Sequence, residues 1–180
     1  MKNIKEVNGL AIGEIAPSFT ALDIYDNKYS LSDALSKGEV VLIFIRGQWC
    51  PFCNKHLKEI QENLPLIYKK GASVVVVSPE KSEFIKKTIE KTGAEFTVLY
   101  DADYKIAKAY DVLFKPKAML RVMYNVVLGA NLKESHSDES EQLPVPATYI
   151  ISKDGKIKWR QFNPNYMKRS QINDILDNLN

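Results

Sequence analysis

Cysteine is almost absent from this chain: there are two, Cys50 and Cys53, and they stand three positions apart. A secreted disulfide scaffold has more cysteines, spread along its length, so stapling is excluded as the source of stability. Long apolar runs are also missing. The longest, Val40 to Ile45, has six residues, against the ~20 that a bilayer-spanning helix needs. The first residues, Met1-Lys2-Asn3-Ile4-Lys5-Glu6, put a Glu where a secretory leader has its apolar stretch. A cytoplasmic location with no membrane attachment is therefore expected. There is little excess charge: 25 Lys and Arg against 22 Asp and Glu leave +3, and the basic residues are scattered. Phosphate neutralisation needs a basic patch or stripe, so no nucleic-acid partner is expected. Repeats, low-complexity stretches and linkers are lacking as well, and residues 1–180 read as one domain.

What is present suits a globular core: 45% hydrophobic and 26% charged residues over 180 positions, enough to bury a core without cross-links. Phe19 to Leu31, with Asp26-Asn27-Lys28 between β-prone stretches, predicts a hairpin. A short helical turn follows, capped by Ser32 or Asp33 and stopped at Gly38. Val40 to Ile45 predicts a strand buried on both faces. Pro51 suits the first position of a helix. From there Cys53, Leu57, Ile60, Leu64 and Ile67 recur at helical spacing, with a kink expected at Pro65. Ser73 to Val77 predicts a second buried strand, and Ser78-Pro79-Glu80 the opening of a helix that ends at Gly93. Glu95 to Tyr100 predicts a third strand, followed by a short helix near 103–110. Met119 to Leu128 is open to a helical reading and Lys133 to Gln142 reads as a polar loop. Ala147 to Ile151 and Ile157 to Gln161 predict a hairpin, and Ser170 to Leu179 a last helix. This order predicts an α/β fold, a mixed central sheet flanked by helices, with an N-terminal hairpin and an insertion before the closing hairpin.

The cysteines fall where strand gives way to helix. With Pro51 first in the helix, Cys50 is its N-cap and Cys53 lies one turn in. Residues three apart on a helix have Cβ atoms ~5–6 Å apart, close to the ~3.8 Å of a disulfide. The helix N-terminus favours an anion and lowers the Cys50 thiol pKa, while Cys53 sits on the apolar face. Cys50 is expected to attack and Cys53 to resolve. The bland alternatives are two inert core thiols, which the place at a strand–helix junction argues against, and a zinc half-site through Cys50, Cys53 and His56. The half-site lacks a fourth ligand, and residues six apart on a helix diverge, so no metal and no cofactor is expected. His56 itself is expected to face solvent.

Trp49-Cys50-Pro51-Phe52-Cys53 after a buried strand, together with Val145-Pro146-Ala147-Thr148-Tyr149-Ile150-Ile151 and Lys153-Asp154-Gly155, resembles the thioredoxin fold. Ala16-Pro17-Ser18-Phe19, Phe96-Thr-Val-Leu-Tyr-Asp, Leu143-Pro-Val-Pro-Ala-Thr and Phe162-Asn-Pro-Asn-Tyr extend the likeness. They resemble the AhpC/TSA redoxins, among them peroxiredoxin-like proteins with Arg-Gly-x-Trp-Cys-Pro-x-Cys. The resemblance implies a cis Val145–Pro146 bond facing the cysteines. The N–H and C=O of Val145 would then be free to pair with an extended substrate.

The resemblance implies an oxidoreductase, either a thiol-disulfide exchanger or an antioxidant peroxidase. In peroxiredoxins a Pro, a Thr and a distant Arg hold the peroxide. If Cys53 is aligned with their cysteine, Arg46, Cys50 and Pro146 stand at those three positions. If Cys50 is aligned instead, Ile43 and Gly47 replace the Pro and Thr. The hydroxyl donor is missing in both registers, so disulfide exchange ranks first and only a modest peroxide rate is expected. Arg46 could lower the Cys50 pKa or hold a peroxide oxygen, or simply be solvated. Trp49 could shield Cys50 or belong to the core. Another guanidinium, such as Arg121, could be brought in by residues 112–143, where Tyr124 is a second candidate. A third reading is a redox sensor with an exposed apolar patch of Trp49, Phe52 and Val145. The implied partners are a thioredoxin-like or low-molecular-weight thiol reductant, and a protein disulfide or peroxide substrate.

Overall fold

A computed structural model describes residues 1–180. A hairpin comes first, β1 (Thr20–Leu22) with β2 (Lys28–Ser30), then α1 (Leu31–Lys37). The cap of α1 is Ser30, whose hydroxyl accepts from the Asp33 N–H, two or three residues earlier than its sequence suggests. Next come β3 (Val40–Phe44), α2 (Pro51–Glu62), α3 (Leu64–Lys69), β4 (Ser73–Ser78), α4 (Ser82–Thr92) and β5 (Thr97–Tyr100). A 3-10 turn (Ala102–Tyr104) leads to α5 (Lys105–Ala109). The insertion holds β6 (Leu113–Phe114), α6 (Ala118–Val126), α7 (Leu132–Ser135) and β7 (Leu143–Pro144). β8 (Ala147–Ile151), β9 (Ile157–Phe162) and α8 (Ile172–Asn178) close the chain.

The central sheet has the order β5-β4-β3-β8-β9. β3 runs parallel to β4 and antiparallel to β8, so the sheet is mixed. All five residues of β3 are buried, as an unbroken apolar strand requires when both sheet faces are covered. Alternation divides them. Val41 and Ile43 join one cluster with Leu57, Ile60 and Ile67 of α2 and α3. Val40, Leu42 and Phe44 join the other, with Leu31 and Leu35 of α1 and Ile106 of α5.

The helix after β3 breaks at Asn63 (φ −109°, ψ 7°), and Pro65 falls in the first turn of α3. Proline has no N–H to continue the α2 ladder, so the expected kink is a full division. α4 begins at Ser82 rather than at Ser78. Ser78 is held in β4 by its pairing with Tyr100, and Glu80 by a bond to Gln48, which keeps both out of the helix. The insertion is tied at its base by β6 and β7, paired antiparallel. It lays α6 against the C-terminal end of β3, where the cysteines are.

Candidate active site

β3 ends at the loop Ile45 to Trp49, and Cys50 follows as the N-cap of α2, with Pro51 in the first turn. The cap backbone is extended (φ −88°, ψ 107°), and the Cys50 carbonyl accepts from the N–H groups of Cys53 and Asn54. The Cys50 thiol makes no capping bond. Both cysteines are free and buried, and they approach to 3.0 Å. The loop is pinned from below. Gln48 N–H donates to Glu80 Oε2 at 2.7 Å, Asn54 Nδ2 to the Gln48 carbonyl at 2.8 Å, and Lys91 Nζ to Gln48 Oε1 at 2.5 Å. Gly47 (φ +141°) makes this closure possible: a Cβ there would lie 2.6 Å from the Glu80 carboxyl carbon.

Arg46 is 1% exposed. Its Nη2 donates to Cys50 Sγ at 3.5 Å and its Nη1 to Tyr124 Oη at 3.2 Å. Its guanidinium lies over the rings of Trp49 and Tyr124, each at 4.8 Å, and Tyr166, at 4.0 Å. No carboxylate forms an ion pair with it. A buried cation without a counter-charge costs several kcal/mol, and the group placed to balance it is the Cys50 thiolate. The Cys53 thiol donating to that thiolate, with the charge and hydrogen bond of Arg46, brings the Cys50 pKa down to about 5. Burial pushes Cys53 well above the ordinary value, and its bond to Cys50 adds to this. The same surroundings thus favour the thiolate at Cys50 and the thiol at Cys53.

A second guanidinium, overlooked in the sequence, completes the site. Arg169 Nη2 lies 3.4 Å from Cys53 Sγ and 4.0 Å from Cys50 Sγ. It comes from residues 163–171, between β9 and α8, and its Nη1 donates to the Tyr166 carbonyl. The motif Phe162-Asn-Pro-Asn-Tyr ends three residues before it, which was the available signal. Arg121, the guanidinium the sequence offered, pairs with Glu141 at 2.5 Å and is taken. His56 is not on the solvent side. It is buried, with Nε2 2.9 Å from Ser170 Oγ, which lies 2.9 Å from Thr148 Oγ1. Burial first, then the charge of Arg169, lower the His56 pKa to about 3, so it is neutral. This chain of three ties α2 and β8 to the residue next to Arg169.

The expectations at Val145 and Pro146 need correction. The chain contains no cis peptide bond, so Val145–Pro146 is trans. The Val145 N–H is not free either: it donates to the Val112 carbonyl at 2.7 Å. The paired base of the insertion occupies the edge on which a substrate strand would add. Trp49 and Val145 are buried, at 5% and 0% exposed, so only Phe52 remains of the expected apolar patch. Trp49 packs on Tyr124 at 5.1 Å between ring centres and belongs to the core around Arg46. Beside these residues lies a cavity of about 600 Å³, lined among others by Arg46, Tyr124, Tyr166, Val145 and Pro146.

Glu80 is the remaining group at the site. It is fully buried, its Oε1 has no partner, and burial raises its pKa to about 8, with the nearby Cys53 adding to the rise.

The chain is 24% identical over 154 residues to the thiol-disulfide oxidoreductase ResA of Geobacillus kaustophilus, covering 85% of this chain and 70% of that one. Among solved structures, the peroxidoxin BcpB of Mycobacterium tuberculosis matches with a TM-score of 0.72 at 19% identity, covering 94% of this chain and 96% of that one. The thioredoxin domain of a thiol-disulfide oxidoreductase from Bacteroides vulgatus matches with a TM-score of 0.65 at 19% identity, over 95% and 99% of the two chains. These likenesses establish a thioredoxin-like fold. The AhpC/TSA family model matches residues 12–160. With 149 of its 180 residues inside that match and a Cys50–Cys53 redox pair at the head of α2, the chain belongs to the AhpC/TSA family of oxidoreductases.

Proposed function

We propose that the protein catalyses thiol-disulfide exchange. The Cys50 thiolate attacks one sulfur of a substrate disulfide, forming a mixed disulfide and expelling the other sulfur as a thiolate. Cys53 then gives up its proton and attacks Cys50 Sγ, releasing the second substrate thiolate and leaving a Cys50–Cys53 disulfide. Two electrons pass from the pair to the substrate. A thioredoxin-like or low-molecular-weight thiol reductant returns them, in a reducing compartment such as the cytoplasm. The observation that carries this reading is the buried Arg46, whose balancing charge is the Cys50 thiolate, 3.5 Å away. The test is stopped-flow oxidation of the reduced protein by insulin, with Cys53→Ser expected to accumulate a mixed disulfide. No oxidation by insulin or by any small disulfide, and no trapped adduct, would refute it.

Peroxide reduction is a second reading, favoured by Arg169, which supplies a guanidinium within 4.0 Å of Cys50 Sγ. Cys50 would attack the peroxide, taking one oxygen as a sulfenate and releasing an alcohol or water. Cys53 would displace that oxygen as water, closing the same disulfide. A hydrogen peroxide rate constant close to the diffusional ceiling of ~10⁸–10⁹ M⁻¹s⁻¹ would put this reading first.

A further inference from the structure

The cavity beside Arg46 has a charge pattern that the exchange reaction does not use. Its volume, about 600 Å³, falls in the roughly 300–1,000 Å³ range of small-molecule sites. Lys5, Lys115 and Lys117 line it together with Arg46, and no Asp or Glu does. None of the three lysines forms an ion pair with a carboxylate elsewhere in the chain. Lys5 and Lys117 are exposed, Lys115 is half-buried and Arg46 is buried, so the positive charge runs from the rim to the floor. Between rim and floor the walls are apolar, with Phe114, Leu120 and Val145 among them.

An extended peptide fits these walls poorly. Pro116, Pro146 and Pro164 line the cavity and have no N–H to offer, and the Val145 N–H is already bonded to Val112. What suits the site is a short apolar chain ending in an anion. The floor is the same Arg46 whose Nη2 lies 3.5 Å from Cys50 Sγ, with Tyr166 stacked on its guanidinium as part of the wall. Arg46 is thus common to the cavity lining and to the contact with Cys50 Sγ.

We propose that the cavity selects the substrate: low-molecular-weight disulfides whose sulfurs are joined through an alkyl chain to a carboxylate. The carboxylate sits among Lys5, Lys115 and Lys117, the alkyl chain on the apolar walls, and the disulfide at Arg46. The reaction is the exchange above: the Cys50 thiolate and R–S–S–R give Cys50–S–S–R and RS⁻, and Cys53 then releases the second RS⁻. This inference rests on the disulfide-exchange reading and narrows its substrate.

The test compares the rates at which the reduced protein is oxidised by 3,3′-dithiodipropionate, bis(2-hydroxyethyl) disulfide and cystamine. These are one linear disulfide with anionic, neutral and cationic ends. A cleft lined by one sign of charge raises encounter rates ~10–10³-fold for the opposite sign. The anionic disulfide is therefore expected to exceed the neutral one in kcat/KM by at least about tenfold, with the cationic one slowest. In Lys5→Gln/Lys115→Gln/Lys117→Gln the anionic-to-neutral ratio should fall toward one. That ratio is internal to each protein, so a change in folded fraction does not move it. Lengthening both acid chains by one methylene should raise kcat/KM by up to about fourfold. An anionic-to-neutral ratio that survives the triple substitution, or a ratio of one in the wild type, overturns the inference while leaving exchange intact. Insulin outpacing all three also overturns it, in favour of a protein substrate. No oxidation by any disulfide refutes the exchange reading itself.

Discussion

Two buried carboxyls, one on each side of the central sheet, are treated in opposite ways. Asp101, beside α5, accepts from the N–H groups of Ile106 and Ala107, each at 2.8 Å, so both its oxygens are satisfied. Glu80, under the cysteine loop, accepts from Gln48 with one oxygen and leaves the other without a partner. Burial raises both pKa values, to about 6 for Asp101 and about 8 for Glu80. The guanidinium of Arg46 repeats the pattern on the Glu80 side, since its Nε is unpartnered and its counter-charge is a thiolate. At Asp101, which shapes the start of α5, the bonds are complete. At Glu80 and Arg46, beside the cysteines, polar atoms are left short of partners, so that a change in protonation or oxidation is felt at once.

Removing the nucleophile should have the largest effect. Cys50→Ser is expected to abolish exchange with any disulfide, while Cys53→Ser reacts once and stops as a mixed disulfide visible by mass spectrometry. A Cys50→Ser protein that keeps the faster reaction with peroxide would reverse the two roles.

Next comes Arg46→Met, which keeps the buried volume but removes the charge. The Cys50 pKa should rise from about 5 toward the ordinary thiol value. Exchange should slow by about tenfold for each unit by which that pKa exceeds the assay pH, as the thiolate fraction falls. The charge also bears on stability. The Cys50 pKa is lowered in the folded state, so the thiolate stabilises the reduced fold fully above the unfolded value of ~8.5. That contribution fades as pH falls toward about 5. Denaturant melts of reduced wild type and Arg46→Met should therefore converge near pH 5 and separate as pH rises. Arg169→Gln acts on the other sulfur, and is expected to slow exchange by about tenfold at neutral pH, as loss of one charge-assisted contact implies.

The two acids give the smallest and most discriminating pair. Glu80 has its pKa raised in the folded state, so wild-type stability falls as pH climbs from its ordinary carboxyl value to about 8. Glu80→Gln lacks this loss, and its melting temperature relative to wild type should increase between pH 5 and pH 8. Asp101→Asn should instead lose about 1–3 kcal/mol near neutral pH by weakening the acceptors of two buried N–H groups, with exchange kinetics unchanged. If the two substitutions behave alike, the contrast between the sides of the sheet is wrong.

The parts of this molecule that were legible in the sequence are those encoded by local pattern. The apolar run of β3, the 3-4 spacing through Cys53, Leu57 and Ile60, and Pro51 at the helix start fix the strand, the helix and the cysteine pair between them. The break at Pro65 and the hairpin turn at Gly155 (φ +81°) follow from single residues with special backbones. Arg169, Glu80 and the burial of His56 were not legible, because each depends on contacts across the fold. Arg169 meets Cys53 from 116 positions away and His56 meets Ser170 from 114. Helical position alone says nothing of what the C-terminal segment lays over it. The closed edge at Val145 was illegible for a related reason. The family likeness implied an open edge there, and the insertion at 112–143 had already closed it with the bond from Val145 to Val112.

The central claim is that Arg46 finds its counter-charge in the Cys50 thiolate. The direct measurement is the pH dependence of iodoacetamide alkylation of the reduced protein, with the modified cysteine assigned by mass spectrometry. The expected result is alkylation of Cys50 with a midpoint near pH 5 in the wild type, moving upward by more than one unit in Arg46→Met. A wild-type midpoint at the ordinary thiol value of ~8.5, or one that Arg46→Met leaves in place, would contradict it.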